Sequence, residues 1–128
     1  MNQSKAAILC VDDNRDNCEL LTFVFESRGF EVKTCQTISE GFFQAKQRNF
    51  SAIILDNRFG ETTSLEVCRE IRFFDPITPI VFYSGEARQS EIEKALAAGA
   101  NAYLIKPSGF EELTETVIKL IEEAQFGK

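Results

Sequence analysis

The chain has 128 residues, 44% of them hydrophobic, with a formal net charge of −6 and no histidine. That length suits one domain with an adequate core of its own. The acidic balance argues against nucleic acid as a direct partner, and the missing histidine excludes Ser-His triads, histidine-zinc sites and histidine bases.

Residues 6–11, AAILCV, read as a buried apolar strand ending at Asp12 and Asp13. A helix follows over 14–28, with Leu21, Val24, Phe25 and Arg28 near one face and Gly29 as its C-cap signal. Cys18, Thr22 and Phe23 fall off that apolar stripe. Residues 30–35, FEVKTC, alternate and carry charge, which predicts an edge strand. Ser39 reads as the N-cap of a short helix over 40–48. The run Ala52-Ile53-Ile54-Leu55 is too short for an ordinary helix and is rich in β-branched Ile. It predicts a fully buried strand that delivers Asp56 at its end. A polar, turn-rich loop then covers residues 57–63. Residues 64–74 read as helix, stopped by Asp75-Pro76. Pro79 opens a fourth strand, 79–83, which ends at Ser84-Gly85. A helix over 90–98 is closed by Gly99, and a fifth strand over 102–105 is ended by Lys106-Pro107. The last helix runs from 110 to 124, with Phe110, Leu113, Val117, Leu120 and Ile121 on one face and its glutamates on the solvated side. Phe126, like Phe23, fits these stripes poorly.

Five strands thus alternate with five helices. That order predicts a doubly wound α/β fold: a five-stranded parallel sheet in the order 2-1-3-4-5, with helices on both faces and right-handed crossovers. No linker, repeat or low-complexity tract divides residues 1–128, so a single domain is expected. Four cysteines stand at 10, 18, 35 and 68, none in a CxxC pair, so zinc and dithiol motifs find no support. Cys10 and Cys35 are expected to be small buried apolar residues. The N-terminus has no apolar stretch of signal-peptide length and no segment approaches a membrane span. A reducing cytosol, with no membrane contact, is the expected setting.

In open α/β sheets ligands bind outside the carboxyl ends of the strands. The first strand ends at Asp12 and Asp13, the third at Asp56, the fourth at Ser84 and the fifth at Lys106. Strands one and three are neighbours at the switch point of such a sheet, so the three carboxylates converge. Carboxylates crowded into one pocket repel unless a cation joins them. Hard oxygen ligands with open positions suit Mg²⁺. Ser84 and Lys106 on the same rim are placed to meet two phosphoryl oxygens. Metal, ammonium and hydroxyl together suit neutralising a transferring phosphoryl group, with a carboxylate as its acceptor. Taken singly these residues are ordinary. An Asp pair after a strand caps a helix, Ser-Gly is a common turn, and a lone Lys is a surface cation. Their weight lies in the set.

With these residues in this order, the chain resembles the receiver domain of two-component response regulators over essentially its whole length. The resemblance implies a phosphorylation-controlled switch rather than an enzyme with a separate substrate, with self-catalysed gain and loss of phosphoryl. It implies Asp56 as phosphoacceptor and Mg²⁺ as cofactor. Asp13 would be a direct metal ligand, Asp12 one acting mainly through water, and the backbone carbonyl of Arg58 would complete the set. Ser84 and Lys106 would meet the phosphoryl group. Tyr103 matches the family's switch aromatic, expected to turn from exposed to buried as Ser84 moves inward. Lys106-Pro107 corresponds to a cis peptide in the family. The implied donor is a sensor histidine kinase or a histidine phosphotransfer protein. The implied output is a downstream protein on the face of the fourth helix, fifth strand and fifth helix. The sequence departs from the family after Asp56. An apolar residue, a Met-Pro pair and a later Asp-Gly are usual, whereas Asn57-Arg58-Phe59-Gly60 and Thr63-Ser64 stand here. These changes bear on the rate and lifetime of phosphorylation rather than on its chemistry. Two alternatives are a receiver that serves only as a phosphorylation-independent interaction module, and a haloacid-dehalogenase-type phosphatase. The latter needs an acid/base Asp two residues after the nucleophile, where Arg58 stands.

Overall fold

The computed structural model describes residues 6–59, 62–106 and 109–126, apart from the side chains of 58, 59, 62, 63 and 126. Its elements are β1 (Ala7–Val11), α1 (Arg15–Glu26), β2 (Glu31–Cys35), α2 (Ile38–Gln47), β3 (Ala52–Leu55), β4 (Arg58–Phe59), β5 (Thr62–Thr63), α3 (Ser64–Phe74), β6 (Ile80–Ser84), α4 (Gln89–Ala97), β7 (Ala102–Ile105) and α5 (Phe110–Phe126). The longer strands form one parallel sheet in the order β2-β1-β3-β6-β7. With the short β4–β5 ribbon set apart, that is the expected 2-1-3-4-5 order.

β1, β3 and β6 are buried along their whole length because both faces of the sheet are covered. Successive strand residues point to opposite faces, so each strand feeds two cores. Leu9, Val11, Ile53, Leu55 and Phe82 pack with Val67, Cys68 and Ile71 of α3 and with Ala95 of α4. Ile8, Cys10, Ile54, Val81 and Tyr83 pack with Leu21 and Phe25 of α1 and with Leu113, Val117 and Ile121 of α5. α1 and α4 are followed by Gly29 and Gly99, both at positive φ (93° and 117°), the conformation that lets the chain turn back into a strand. All four cysteines are buried and free, and burial pushes the Cys35 and Cys68 thiols up to about 11. Among the described residues no helix is long and apolar enough to cross a membrane.

Four local expectations are corrected. The N-cap of α2 is Thr37, whose hydroxyl accepts from the Glu40 amide at 3.1 Å, so Ser39 lies inside the helix. Asn14, and neither Asp12 nor Asp13, caps α1, accepting from the Asn17 amide at 2.9 Å. Residues 57–63 are not wholly loop: Arg58 pairs with Thr63 and Phe59 with Thr62 in an antiparallel ribbon. Cys18 is only 5% exposed, its thiol donating to the Asp12 carbonyl at 3.2 Å, whereas Phe23 does stand outside the stripe at 71% exposure. The Phe126 side chain lies outside the described residues.

Candidate functional site

β1 and β3 lie side by side with Val11 opposite Leu55, so the residues that follow them emerge together at the rim. Each continues the ladder one step past its strand. The Asp12 amide donates to the Cys35 carbonyl at 3.0 Å and the Asp56 amide to the Val11 carbonyl at 2.9 Å. These bonds fix where both side chains start. Carboxylate oxygens of Asp12, Asp13 and Asp56 lie within 4.8 Å of one another. Their exposure is graded: Asp12 is buried, Asp56 half-buried and Asp13 exposed.

Lys106 follows β7, and its amide donates to the Ser84 carbonyl at 2.9 Å. Its Nζ reaches across to Asp12 Oδ2 at 2.9 Å and Asp56 Oδ2 at 3.4 Å. The same ammonium stands 5.6 Å from the centroid of the Tyr83 ring. Burial alone would lower the Lys106 pKa. The Asp12 hydrogen bond and the charge of Asp56 outweigh it and hold the group above its ordinary value, so it is a cation at neutral pH. Asp12 also accepts from the Asn14 amide at 2.9 Å and from Asn17 Nδ2 at 3.3 Å. A buried carboxylate with three donors is well supported.

The expected set is therefore brought together in part. Asp12, Asp13, Asp56 and Lys106 share the rim as predicted. Ser84 ends β6 on the same rim. Its hydroxyl accepts from the Glu86 amide at 3.2 Å. Tyr103 is not in the exposed position expected for it. It is half-buried, stacked on Phe82 at a centroid distance of 5.6 Å and an interplanar angle of 8°. Its hydroxyl donates to the Glu86 carbonyl at 2.8 Å. Burial pushes its phenol up, and hydrogen bonds to Asn57 and Ser84 pull it partly back. The backbone of Arg58 begins β4, two residues beyond Asp56. Pro107 lies outside the described residues.

Two residues noted in the sequence only as departures from the family pattern shape the acceptor loop. The Ser64 hydroxyl donates to the Asp56 carbonyl at 2.5 Å, and its amide donates to the Asn57 carbonyl at 3.1 Å. Asn57 itself is buried, with Nδ2 donating to the Tyr103 hydroxyl at 3.3 Å. The signals for Ser64 were a hydroxyl at the start of a predicted helix and its place where the family has Asp-Gly. For Asn57 the signal was a polar residue next to Asp56 where the family has an apolar one.

The donor set fits a hard divalent cation: among the described residues, three carboxylates, one of them exposed, stand around Lys106 and leave an excess of negative charge. Asp13→Asn is accordingly expected to raise the stability of the metal-free protein by up to about 1 kcal/mol, a few degrees in Tm. With Mg²⁺ added, the order of the two proteins should reverse, because only the native chain gains the full binding free energy. A clear loss of Tm in the metal-free variant would make Asp13 a structural residue instead.

The profile of the response regulator receiver domain matches residues 8–118. Transcriptional regulatory protein ZraR of Salmonella typhimurium is 30% identical over 121 residues, which are 94% of this chain and 27% of that protein. Nisin biosynthesis regulatory protein NisR of Lactococcus lactis is 31% identical, over 94% of this chain and 52% of its own length. The chain thus spans only part of these curated relatives. A CheY-like receiver domain protein of Methanospirillum hungatei superposes with a TM-score of 0.93 over 98% of this chain and 100% of that one, at 24% identity, a likeness of fold. Response regulator protein TrrA of Thermotoga maritima, solved in complex with Mg²⁺ and beryllofluoride, has a TM-score of 0.81 at 30% identity, over 90% of this chain and 98% of its own. A match that runs from β1 into α5 takes in the whole sheet and its acidic rim, and on that ground the chain belongs to the response regulator receiver domain family.

Proposed function

We propose that the chain is a phosphorylation-controlled switch of a two-component phosphorelay. It accepts a phosphoryl group on Asp56 from a phosphohistidine of a sensor kinase or phosphotransfer protein, and signals through protein contacts. The observation that carries this reading is the half-buried Asp56, bridged by Lys106 to Asp12 beside the exposed Asp13. An Asp56 oxygen attacks phosphorus in line with the departing imidazole nitrogen. The P–O bond forms as the P–N bond breaks, and the electron pair stays with the imidazole, which is protonated as it leaves. Lys106 stands ready for the phosphoryl oxygens because its Nζ already lies 3.4 Å from Asp56 Oδ2. Mg²⁺, held by Asp13, Asp56 and the Arg58 carbonyl and through water by Asp12, would neutralise charge on those oxygens. The Mg²⁺ and beryllofluoride bound in the Thermotoga relative support that assignment. Water later attacks the acyl phosphate, releasing phosphate and restoring the carboxylate. On this reading the protein itself gains and loses the phosphoryl group, as a switch does.

The output follows from what Ser84 must give up. A phosphoryl group on Asp56 brings about two negative charges and strong acceptor oxygens. To meet them, the Ser84 hydroxyl leaves the Glu86 amide, and the segment leading into α4 reorganises. The face of α4, β7 and α5 then differs between the two states and carries a difference in partner affinity. Amide shifts on adding beryllofluoride with Mg²⁺ are expected to spread through residues 86–106 and to shrink in Ser84→Ala. Native shifts confined to the surroundings of Asp12, Asp56 and Lys106 would show that the acidic rim is not coupled to that face.

A further inference from the structure

Asn57 is a buried side chain that the phosphoryl chemistry does not use. It is 0% exposed, and among the described residues its Oδ1 has no hydrogen-bond partner. A buried amide with half its capacity unmet is unfavourable, and an apolar residue of similar size would fill the place without that penalty. Packing alone would therefore select against it. Its other half touches something specific: Nδ2 donates to the Tyr103 hydroxyl at 3.3 Å. That hydroxyl has one proton and two lone pairs. The proton goes to the Glu86 carbonyl, and a lone pair accepts from Asn57. The hydroxyl thus both donates and accepts, and the ring lies flat on Phe82.

On the receiver reading above, we propose that Asn57 is a positioning residue that holds Tyr103 inward in the unphosphorylated chain. Tyr103 then keeps its place in both states, and the change on the output face is carried by Ser84 and the segment after it. Asn57 follows Asp56 directly, and its carbonyl is held by the Ser64 amide, so the loop that bears the acceptor also bears the latch. When Ser84 leaves for the phosphoryl oxygens, Tyr103 retains Asn57. With an apolar residue at 57, the inward ring would depend on the Glu86 carbonyl alone and would be freer to swing out.

The chain has two tyrosines, so 3-fluorotyrosine labelling gives two ¹⁹F signals, with Tyr83, buried in the other core, as the reference for the unliganded comparison. In the unliganded native protein the Tyr103 signal is expected to be narrow and displaced by the Phe82 ring. In Asn57→Leu, which keeps the number and branching of the side-chain heavy atoms and removes the unpaired acceptor, it should move at least halfway toward free fluorotyrosine or broaden, while Tyr83 stays put. Beryllofluoride with Mg²⁺ should then shift Tyr103 at least threefold more in Asn57→Leu than in the native chain. Coincident Tyr103 signals in the two unliganded proteins would overturn the proposal, as would a native signal already at the position of free fluorotyrosine. If beryllofluoride moves nothing, not even the amides of Asp12, Asp56 and Lys106, the receiver reading fails. The unliganded pair still decides the role of Asn57.

Discussion

Incubation with acetyl phosphate and Mg²⁺ is expected to add one phosphoryl mass to the native chain and none to Asp56→Asn. The carboxamide keeps the shape of the side chain but lacks the anionic oxygen that attacks phosphorus. Its neighbours are poor substitutes. Asp12 is 3% exposed, with Lys106, Asn14 and Asn17 all bound to its oxygens. Asp13 is exposed and without the 3.4 Å approach to Lys106 that Asp56 has. The variant should also fold, since the substitution removes one of three crowded negative charges. Loss of labelling at an unchanged or higher Tm is therefore a chemical result, not a folding one. Labelling that persists in Asp56→Asn would move the acceptor to another carboxylate. A native chain that takes no label at all would favour the phosphorylation-independent interaction module.

The sheet and its rim were legible because burial on both faces writes itself into sequence as continuous apolar runs. β1, β3 and β6 are such runs, each closed by a polar residue: Asp12, Asp56 and Ser84. Once the strands are placed, the topology alone puts Asp12, Asp56, Ser84 and Lys106 on one edge. What the sequence left open depends on backbone angles or on distant partners. Thr37 and Ser39 are both good capping residues, and the choice between them is made by the extended backbone at Thr37 (φ −132°, ψ 154°). The β4–β5 ribbon pairs two residues with two and has no periodicity to read. Asn57 reads as loop because it is polar and follows a strand. Its burial is set by Tyr103, far along the chain, and no local pattern reports that contact. The family resemblance supplied Tyr103 as an aromatic at the right place but not the amide that holds it inward.

Lys106→Met is expected to slow labelling by acetyl phosphate by about 10²–10³-fold, the usual effect of removing one preorganised charge-stabilising group. The same change should lower the stability of the metal-free protein by about 2 kcal/mol, because it leaves the buried Asp12 carboxylate without its cation. The Asn14 and Asn17 bonds keep that loss below what an unsupported buried charge would suffer. The two effects separate by experiment. Rates measured with saturating Mg²⁺, well below both melting temperatures, compare two folded proteins. A rate that falls only in proportion to the unfolded fraction would make Lys106 structural. The stability effect carries its own pH signature. The folded pKa of Lys106 lies above the ordinary value of 10.5, so its contribution is complete below that value and is lost as pH rises through the folded pKa. The native chain should therefore lose stability on that alkaline limb, Lys106→Met should lose less, and the two curves should converge. A constant gap across the limb would mean that the methionine acts by packing, not by charge.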